Sequence, residues 1–265
     1  MTTAPTTVPT TVPTTAPTTA PTAAPGPRLS IVVPMRDEAA SVEPLAREIA
    51  AACARLAPFE AIFVNDGSRD ATAARIAALR AELPWLREVR HARPCGQSAA
   101  IRSGVLAARA PLICTLDGDG QNPPAEIPRI VAPLLAGQPG LGLVAGERHR
   151  RADPAPARLA SAAANRLRAV LLGDGARDSG CGLKAFPRAL FLALPHFDNM
   201  HRYLPALVRR EGRAVAYLPV AHRPRRAGRS HYTLAGRALA GARDLIGMRW
   251  LMARRRLPDV VHVDP

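Results

Sequence analysis

The sequence predicts an α/β fold, in which a mostly parallel sheet is flanked by helices and followed by a C-terminal helical extension. Short apolar segments alternate with segments of helical spacing between Leu29 and residue 116. Such alternation is typical of βαβ units with parallel strands. Acidic and polar clusters follow three of the apolar segments. Parallel sheets bind ligands at this position, beyond the carboxyl ends of their strands. The chain has 265 residues and is 48% hydrophobic, which suits one sizeable domain with tails.

Residues 1–27 precede this pattern and are a near-repeat of Thr, Pro, Ala and Val. Proline recurs every few residues, which excludes both a helix and a sheet ladder, and nothing here can form a core. The first 25 residues also lack the basic start and apolar middle of a signal peptide. We therefore expect a disordered tail.

The elements of the alternating half can be assigned in order. "LSIVV" is a strand that starts at Leu29 and ends at Pro34, and residues 41–56 have helical spacing with Ser41 as the N-cap. Further strands are predicted at 61–64, 86–91 and 112–116, and further helices at 70–83 and 96–110.

The second half of the chain has a less regular pattern. Its predicted elements are a strand running into a basic loop (142–151), a helix (155–172), a turn and short strand (178–186), a helix (200–212), a strand (214–220), a basic loop (222–232) and a helical end. We divide the chain into the tail 1–27, a main domain 28–232 and a helical segment 233–265.

The formal charge of +15 indicates an anionic partner, such as nucleic acid, a membrane surface or a phosphate substrate. We give this charge argument only about half of its weight. Arginine dominates the basic residues and Lys184 is the only lysine, which is the composition that a coding bias towards arginine would produce. Aromatic residues make up 4% of the chain and no nucleic-acid motif occurs, which argues against nucleic acid. No apolar run reaches the roughly 18 residues needed to span a bilayer.

The four cysteines form no CxxC pair, and three lie in or near apolar segments. This pattern indicates buried thiols in a reducing compartment rather than a disulfide framework or a zinc site. Cys181 and Lys184 do not indicate a nucleophilic centre, because no His or acid is convincingly arranged beside them in the sequence.

The stretch "LICTLDGDGQNPP" carries the most specific chemistry. Asp117 and Asp119 point roughly the same way from an extended segment, since side chains alternate with a period of two. With the amide oxygen of Gln121 they form an all-oxygen set that suits Mg²⁺ or Mn²⁺ bridging a diphosphate. An EF-hand is excluded, because Asn122 stands where that loop needs Gly and Pro128 where it needs Glu.

Other candidate contacts follow the first two strands. Asp66 in "VNDGSRDAT" can accept hydrogen bonds from a nucleobase or ribose, whereas Asp70 is predicted to cap the next helix. Glu38 is a weaker candidate, because acidic residues near a helix start often serve the helix dipole. Arg148 and Arg225 are candidate phosphate contacts, since arginine binds phosphate oxygens bidentately, and a solvated basic face is the alternative for each of them.

Together these residues resemble a family-two glycosyltransferase of the GT-A, Rossmann-like fold. The branch is that of the dolichol-phosphate mannose synthases and bacterial polyprenyl-phosphate sugar transferases. The resemblance runs from about Leu29 to about Arg256, and "DGDGQNPPAEIP" is its most specific match. The other matching motifs are "SIVVPMRDE", "VNDGSRDAT", "GERHRR", "DSGCGLKAF", "MHRYLPALVRREG" and "HRPRRAGRSHYTL".

The resemblance implies a role for each matching residue. The residues expected to bind the nucleotide sugar are Pro34, Glu38, Asp66, Asp117, Arg225 and Ser230. Those expected to hold the metal are Asp117, Asp119 and Gln121. The expected catalytic residues are Asp119, Arg148 facing the acceptor phosphate, and Asp178, for which a base and a structural turn both stay open.

The implied reaction moves a sugar, with mannose as the expected one, from a nucleotide-diphosphate donor to a polyprenyl phosphate (dolichyl or undecaprenyl). It inverts the anomeric centre and uses Mg²⁺ or Mn²⁺. The implied partners are the donor, the lipid phosphate, an anionic membrane surface and a separate membrane-embedded protein. We expect a cytoplasmic protein bound peripherally to the cytoplasmic face of the membrane.

The C-terminal segment "LIGMRWLMARRR" (245–256) fits either an interfacial helix or a helix packed on the enzyme's own core. Three other functions stay open from the sequence. One is a family-two transferase with a soluble polysaccharide or protein acceptor, and a second is a nucleotidyltransferase, although the Gly-rich phosphate loop with Lys is absent. The third is a non-enzymatic basic membrane-binding module.

Overall fold

The computed structural model describes residues 26–56, 58–148, 166, 168–224 and 234–256. Its strands are β1 (Leu29–Met35), β2 (Phe59–Asp66), β3 (Leu86–His91), β4 (Leu112–Thr115), β5 (Leu141–Arg148), β6 (Lys184–Pro187) and β7 (Ala214–Val220). Its α-helices are α1 (Ala39–Cys53), α2 (Thr72–Glu82), α3 (Gln97–Ala107), α4 (Ile127–Leu135), α5 (Arg188–Ala193), α6 (Leu204–Arg210) and α7 (Leu234–Ala253). Residues 168–172 are also helical.

The seven strands form one sheet in the order β3-β2-β1-β4-β6-β5-β7. The strands β3, β2, β1 and β4 run parallel to one another, and β7 runs parallel to β5. The strand β6 lies antiparallel to both of its neighbours, β4 and β5. The predicted α/β fold with a mostly parallel sheet flanked by helices is therefore confirmed, with one reversed strand near its centre.

The register of the sheet brings the ends of three strands to the same edge. Met35 pairs with Asn65, so β1 and β2 finish almost level, whereas β4 ends at Thr115 opposite Val32, three residues before the end of β1. Lys184 pairs with Thr115, so β6 begins at this edge as well. Parallel α/β sheets bind ligands beyond the carboxyl ends of their strands, and this edge is where the acidic clusters lie.

Both faces of the sheet are covered, which explains why the strands are continuous apolar runs. Ile31 and Val33 belong to one core cluster with residues of α1, α2 and α4. Val32 faces the other way, into a cluster with residues of α3, α5, α6 and α7. Gly104 allows α3 to approach closely, because a Cβ there would lie 2.4 Å from Val32 Cγ1.

Some predicted boundaries differ from the structure. The helix α1 begins at Ala39, not at the predicted cap Ser41, because the Ala39 amide is bound by the carboxylate of Asp70 across the loops. The helix α4 was not predicted, because Pro128 and Pro133 resemble loop residues. Pro128 lies in the first helical turn, where no intrahelical acceptor is needed for its missing N–H, whereas Pro133 lies inside the helix.

Candidate active site

The loop after β4 crosses the end of β1. Gly118 makes this possible, because a Cβ there would lie 2.6 Å from the carbonyl oxygen of Pro34. The backbone of Pro34 therefore lies against the loop between Asp117 and Asp119. The structure thus brings the predicted residues Pro34, Asp117, Asp119 and Gln121 to one edge of the sheet.

Asp117 is held on both of its carboxylate oxygens. Gln97 Nε2 donates to Oδ1 over 2.8 Å, and Asn122 Nδ2 donates to Oδ2 over 3.0 Å. Burial and the neighbouring charge of Asp119 raise the pKa of Asp117 to about 6, although Lys184, Arg148 and the bond from Gln97 oppose this shift. Two carboxylates that repel each other in this way favour a bound cation.

Asp119 and Gln121 form the tip of the same loop. The Gln121 amide N–H donates to Asp119 Oδ1 over 3.0 Å. The Gln121 side chain lies 3.5 Å from His222 Nε2, and the Arg223 amide donates to the Gln121 carbonyl over 2.9 Å. The segment after β7 therefore lies against this loop and adds an imidazole to it.

This donor set fits Mg²⁺ or Mn²⁺. Asp117, Asp119 and Gln121 offer hard oxygen atoms, and the His222 imidazole is a common additional ligand for a transition metal. His222 was assigned in the sequence only to a basic loop, because it lies about a hundred residues from Gln121 in the chain.

Arg148 and Asp178 form a bidentate ion pair with little exposure. Arg148 Nε and Nη2 donate to the two Asp178 oxygens over 2.6 and 2.7 Å, and the Arg148 amide donates to Oδ2 over 3.2 Å. Their side chains are 12% and 8% exposed. Asp178 therefore orients the Arg148 guanidinium, which favours the structural alternative over a base.

Lys184 is a second buried cation near the acidic loop. It is 3% exposed, and its Nζ donates to the carbonyl oxygen of Cys181. Burial lowers its pKa, while the thiol of Cys181 and the carboxylates of Asp117 and Asp178 act in the opposite direction. Lys184 was not predicted to be a nucleophile. A lone lysine inside an apolar strand nevertheless indicates a buried charge, and this could have been recognised from the sequence.

Asp66 lies at the end of β2 and binds the loop that leads into α3. It accepts hydrogen bonds from His91 Nδ1 over 2.7 Å, from the Cys95 amide over 2.7 Å and from the Gly96 amide over 2.9 Å. His91 Nε2 in turn contacts Ser103 Oγ at 2.9 Å. The carboxylate is 4% exposed, so its orientation is fixed by the protein.

The loops after β1 and β2 are joined to each other. Asp70 accepts from the Thr72 amide over 2.9 Å and from the Ala39 amide over 3.0 Å, so the predicted cap holds the starts of both α1 and α2. Glu38 is the N-cap residue of α1, is 7% exposed, and donates its amide N–H to Thr72 Oγ1 over 3.0 Å. Glu38 therefore lies between these two helices, beside the loop of Asp66.

Two predicted residues cannot be placed. Arg225 and Ser230 lie outside the described residues, as does most of the predicted tail 1–27. All four cysteines are free, as expected, but only Cys53, Cys114 and Cys181 are buried, whereas Cys95 is exposed. In the part of the chain that the structure describes, no helix is both long and apolar enough to cross a membrane.

A GT-A sheet with an Asp-x-Asp loop at the ends of its parallel strands defines the class of nucleotide-sugar glycosyltransferases. The chain belongs to glycosyl transferase family 2, whose family model matches residues 30–191. The resemblance drawn from the sequence motifs is thereby confirmed.

The chain is similar to curated relatives named undecaprenyl-phosphate 4-deoxy-4-formamido-L-arabinose transferase. The protein of Pseudomonas fluorescens (strain Pf0-1) is 35% identical over 209 residues, which cover 77% of this chain and 60% of the relative. The protein of Erwinia tasmaniensis is 36% identical, with 78% and 63% covered. The chain thus spans only about 60% of the length of these relatives.

Solved structures show the same fold. Glucosyl-3-phosphoglycerate synthase from Mycobacterium tuberculosis with Mn²⁺, UDP-glucose and phosphoglyceric acid superposes with a TM-score of 0.65 at 21% identity, covering 88% of this chain and 81% of that one. The same enzyme with Mg²⁺ and UDP gives a TM-score of 0.64 at 22% identity and the same coverage. At such identity the likeness concerns the fold.

Proposed function

We propose that this protein transfers a sugar from a nucleotide-diphosphate donor to the phosphate of a polyprenyl phosphate. The observation that carries the proposal is that the Asp117–Gln121 loop lies near two cations, Lys184, which is 3% exposed, and Arg148, whose side chain is 12% exposed. A metal–diphosphate site beside buried positive charge suits a reaction between two phosphate-bearing substrates. The curated relatives, whose names specify undecaprenyl phosphate, support the same acceptor class.

The donor is expected to lie along the edge of the sheet from Asp66 to Asp119. Asp66 is held by three hydrogen bonds and offers a fixed acceptor for the nucleobase or ribose. Asp117, Asp119 and Gln121 would hold Mg²⁺ or Mn²⁺ and the donor diphosphate. When bound, the cation would supply Lewis-acid stabilisation of the negative charge on the leaving diphosphate.

The acceptor phosphate is itself the nucleophile. One of its oxygens forms a bond to the anomeric carbon of the sugar, and the bond from that carbon to the β-phosphate oxygen breaks, which releases the nucleoside diphosphate. The phosphate is already anionic, so no strong general base is required. Catalysis then rests on positioning and electrostatics, with Arg148 oriented by Asp178. A single displacement inverts the anomeric centre.

The sugar stays a separate question. Mannose was the expectation from the sequence, whereas the names of the curated relatives specify 4-deoxy-4-formamido-L-arabinose. A panel of nucleotide sugars that includes GDP-mannose, UDP-glucose and UDP-linked amino-arabinose derivatives decides between them.

The proposed location is the cytoplasmic face of a membrane, where a lipid phosphate and a soluble donor meet. The face of α7 that carries Ile246 and Trp250 supports this proposal, because both side chains are exposed beside arginines. The same proposal includes a separate membrane-embedded partner protein, as the resemblance implies.

The experiment measures release of nucleoside diphosphate with and without polyprenyl phosphate, and with and without Mg²⁺ or Mn²⁺. We expect release to require both, and Asp119→Asn to abolish it while the protein stays folded. Glu82→Gln makes the same chemical change at an exposed helix position and is the matched control. Equal stimulation by soluble sugars or glycerol phosphates would favour the soluble-acceptor alternative.

A further inference from the structure

The first residues of α3 contact two separate parts of the site. The amides of residues 95–96 donate to Asp66, and the next side chain, Gln97, donates to Asp117. Asp66 and Asp117 come from different strands, β2 and the end of β4, with β1 between them. One short segment thus joins the end of the site assigned to the nucleobase to the end assigned to the metal.

The contact between Gln97 and Asp117 is one of three that fix this carboxylate. Asn122 binds the second oxygen, and its own Oδ1 lies 3.8 Å from the Cys181 thiol, which accounts for the orientation of the amide. Behind Asp117 the backbone of Gly182 closes the space, because a Cβ there would overlap the carboxylate. Asp117 therefore has one well-defined position in which Gln97 is the partner on Oδ1.

The start of α3 is also anchored to His201, which precedes α6. Ser98 Oγ accepts a hydrogen bond from the His201 amide over 3.2 Å and also lies 2.7 Å from His201 Nδ1. Ser98 is 1% exposed. These two contacts hold the first turn of α3, which carries Gln97.

We propose that Gln97 is a positioning residue for the transfer reaction, which acts on the metal and the donor diphosphate through Asp117. This inference rests on the proposed function, because it assumes that Asp117 takes part in binding the metal. Hydrogen bonds from neutral amides to a carboxylate are charge-assisted and fix its direction. Groups that orient a metal ligand in this way typically change metal affinity or activity by about 10–100-fold when removed.

The test compares Gln97→Met, which keeps the length of the side chain and removes the amide, with Gln138→Met at an exposed turn. Mn²⁺ binding is measured by the loss of the free Mn²⁺ signal in electron paramagnetic resonance, with excess UDP present and no acceptor. We expect binding about 10–100-fold weaker in Gln97→Met and in Gln97→Ala, and unchanged in Gln138→Met.

Kinetics and thermal unfolding separate positioning from a general loss of structure. We expect kcat to fall in Gln97→Met while the KM for polyprenyl phosphate and the melting temperature without metal stay close to those of the unaltered protein. Unchanged Mn²⁺ affinity with a lowered melting temperature would overturn the proposal, as would an unaltered protein that binds no Mn²⁺. Because the binding assay needs no acceptor, a failure to glycosylate polyprenyl phosphate is recognised separately and counts against the proposed function alone.

Discussion

At the residue scale, the site is organised by charges that the fold keeps away from water. Arg148 and Lys184 both act to lower the pKa of Asp117, and Asp178 acts to raise the pKa of each of these two cations. Isolated charges are costly in a protein interior, so this group persists only because its members compensate one another. The protein thereby keeps positive charge next to the acidic loop where a second phosphate is expected.

The Arg148–Asp178 pair gives a prediction about stability. Truncation of either partner alone leaves a buried charge, so Arg148→Met and Asp178→Ala should each lower the free energy of unfolding by about 3–5 kcal/mol. The double variant should cost clearly less than the sum of the two. Urea unfolding measures all three, and the exposed pair Arg47–Glu43 serves as a control in which single and double changes have little effect. Strict additivity at Arg148 and Asp178 would show that the pair is not coupled.

His201 gives a prediction about pH. Burial holds the pKa of its imidazole well below the usual value, and the charges of Lys184 and Arg202 add to this effect. The unfolded chain therefore binds a proton below about pH 6.5 that the folded protein resists. The contribution of His201 to the free energy of unfolding should therefore be complete above pH 6.5 and should decrease as the pH falls below that value.

The measurement is the difference in unfolding free energy between the unaltered protein and His201→Gln, followed from pH 7.5 down to pH 5. The unaltered protein should lose more stability than the variant over this range, because the contributions of the other titrating groups are common to both. Parallel curves would contradict the burial of a neutral His201.

The sequence predicted the residues of the site that belong to contiguous motifs. Asp117, Asp119 and Gln121 could be recognised because a metal loop keeps its ligands within a few positions of one another. Gln97 and His222 could not, because they reach the same loop from α3 and from the end of β7. Their contribution depends on the order of strands in the sheet, which local patterns do not encode.

At the element scale, α7 has both of the surfaces that its sequence allowed as alternatives. One face packs on the enzyme's own core, and another face is exposed and suits a membrane interface. Met248 is 1% exposed and belongs to the core cluster shared with α3 and α6. Ile246 and Trp250 are 73% and 61% exposed, and the Arg254 guanidinium lies 5.7 Å from the centre of the Trp250 ring. The helix is packed on the enzyme and also presents an apolar and basic face.

This arrangement changes how membrane binding is tested. Removing the chain from residue 245 onward would also remove Met248 from the core, so loss of binding would be confused with loss of folding. The double variant Ile246→Ser with Trp250→Ser alters the exposed face alone. Leu106→Ser, at a position that is 53% exposed on α3, is the matched control.

We expect the double variant to sediment less with anionic liposomes than the unaltered protein does, while Leu106→Ser behaves like the unaltered protein. Each arginine near an anionic surface contributes about 1 kcal/mol, and this contribution falls as salt rises. Binding should therefore be weaker at high salt and on neutral lipid. Equal sedimentation of all three proteins would remove α7 from the membrane contact.

The elements also show where local patterns were sufficient. The strands β1 to β4 and the helices between them were predicted because the apolar period changes cleanly from strand to helix. The helix α5 was not predicted, because it follows β6 directly at Pro187 and has only six residues. So short a helix carries too few turns to show a periodicity.

At the scale of the whole molecule, the predicted site residues that the structure describes lie at the ends of the sheet strands and in the loops beside them. The proline-rich segment 1–27 cannot contribute apolar packing, on the grounds of its composition alone. Deletion of residues 1–27 should leave the melting temperature and the rate of transfer nearly unchanged. A large decrease in either quantity would show that the segment docks on the domain.

The central claim is that the sugar itself is transferred to a lipid monophosphate. The most direct measurement is mass spectrometry with ³¹P NMR of the lipid, after incubation with polyprenyl phosphate, Mn²⁺ and the panel of nucleotide sugars. We predict a product heavier by one sugar residue and containing a single phosphorus atom, now in a phosphodiester. A product with two phosphorus atoms would mean transfer of a sugar phosphate, and no lipid product with any donor would refute the proposed acceptor; either result would contradict the account.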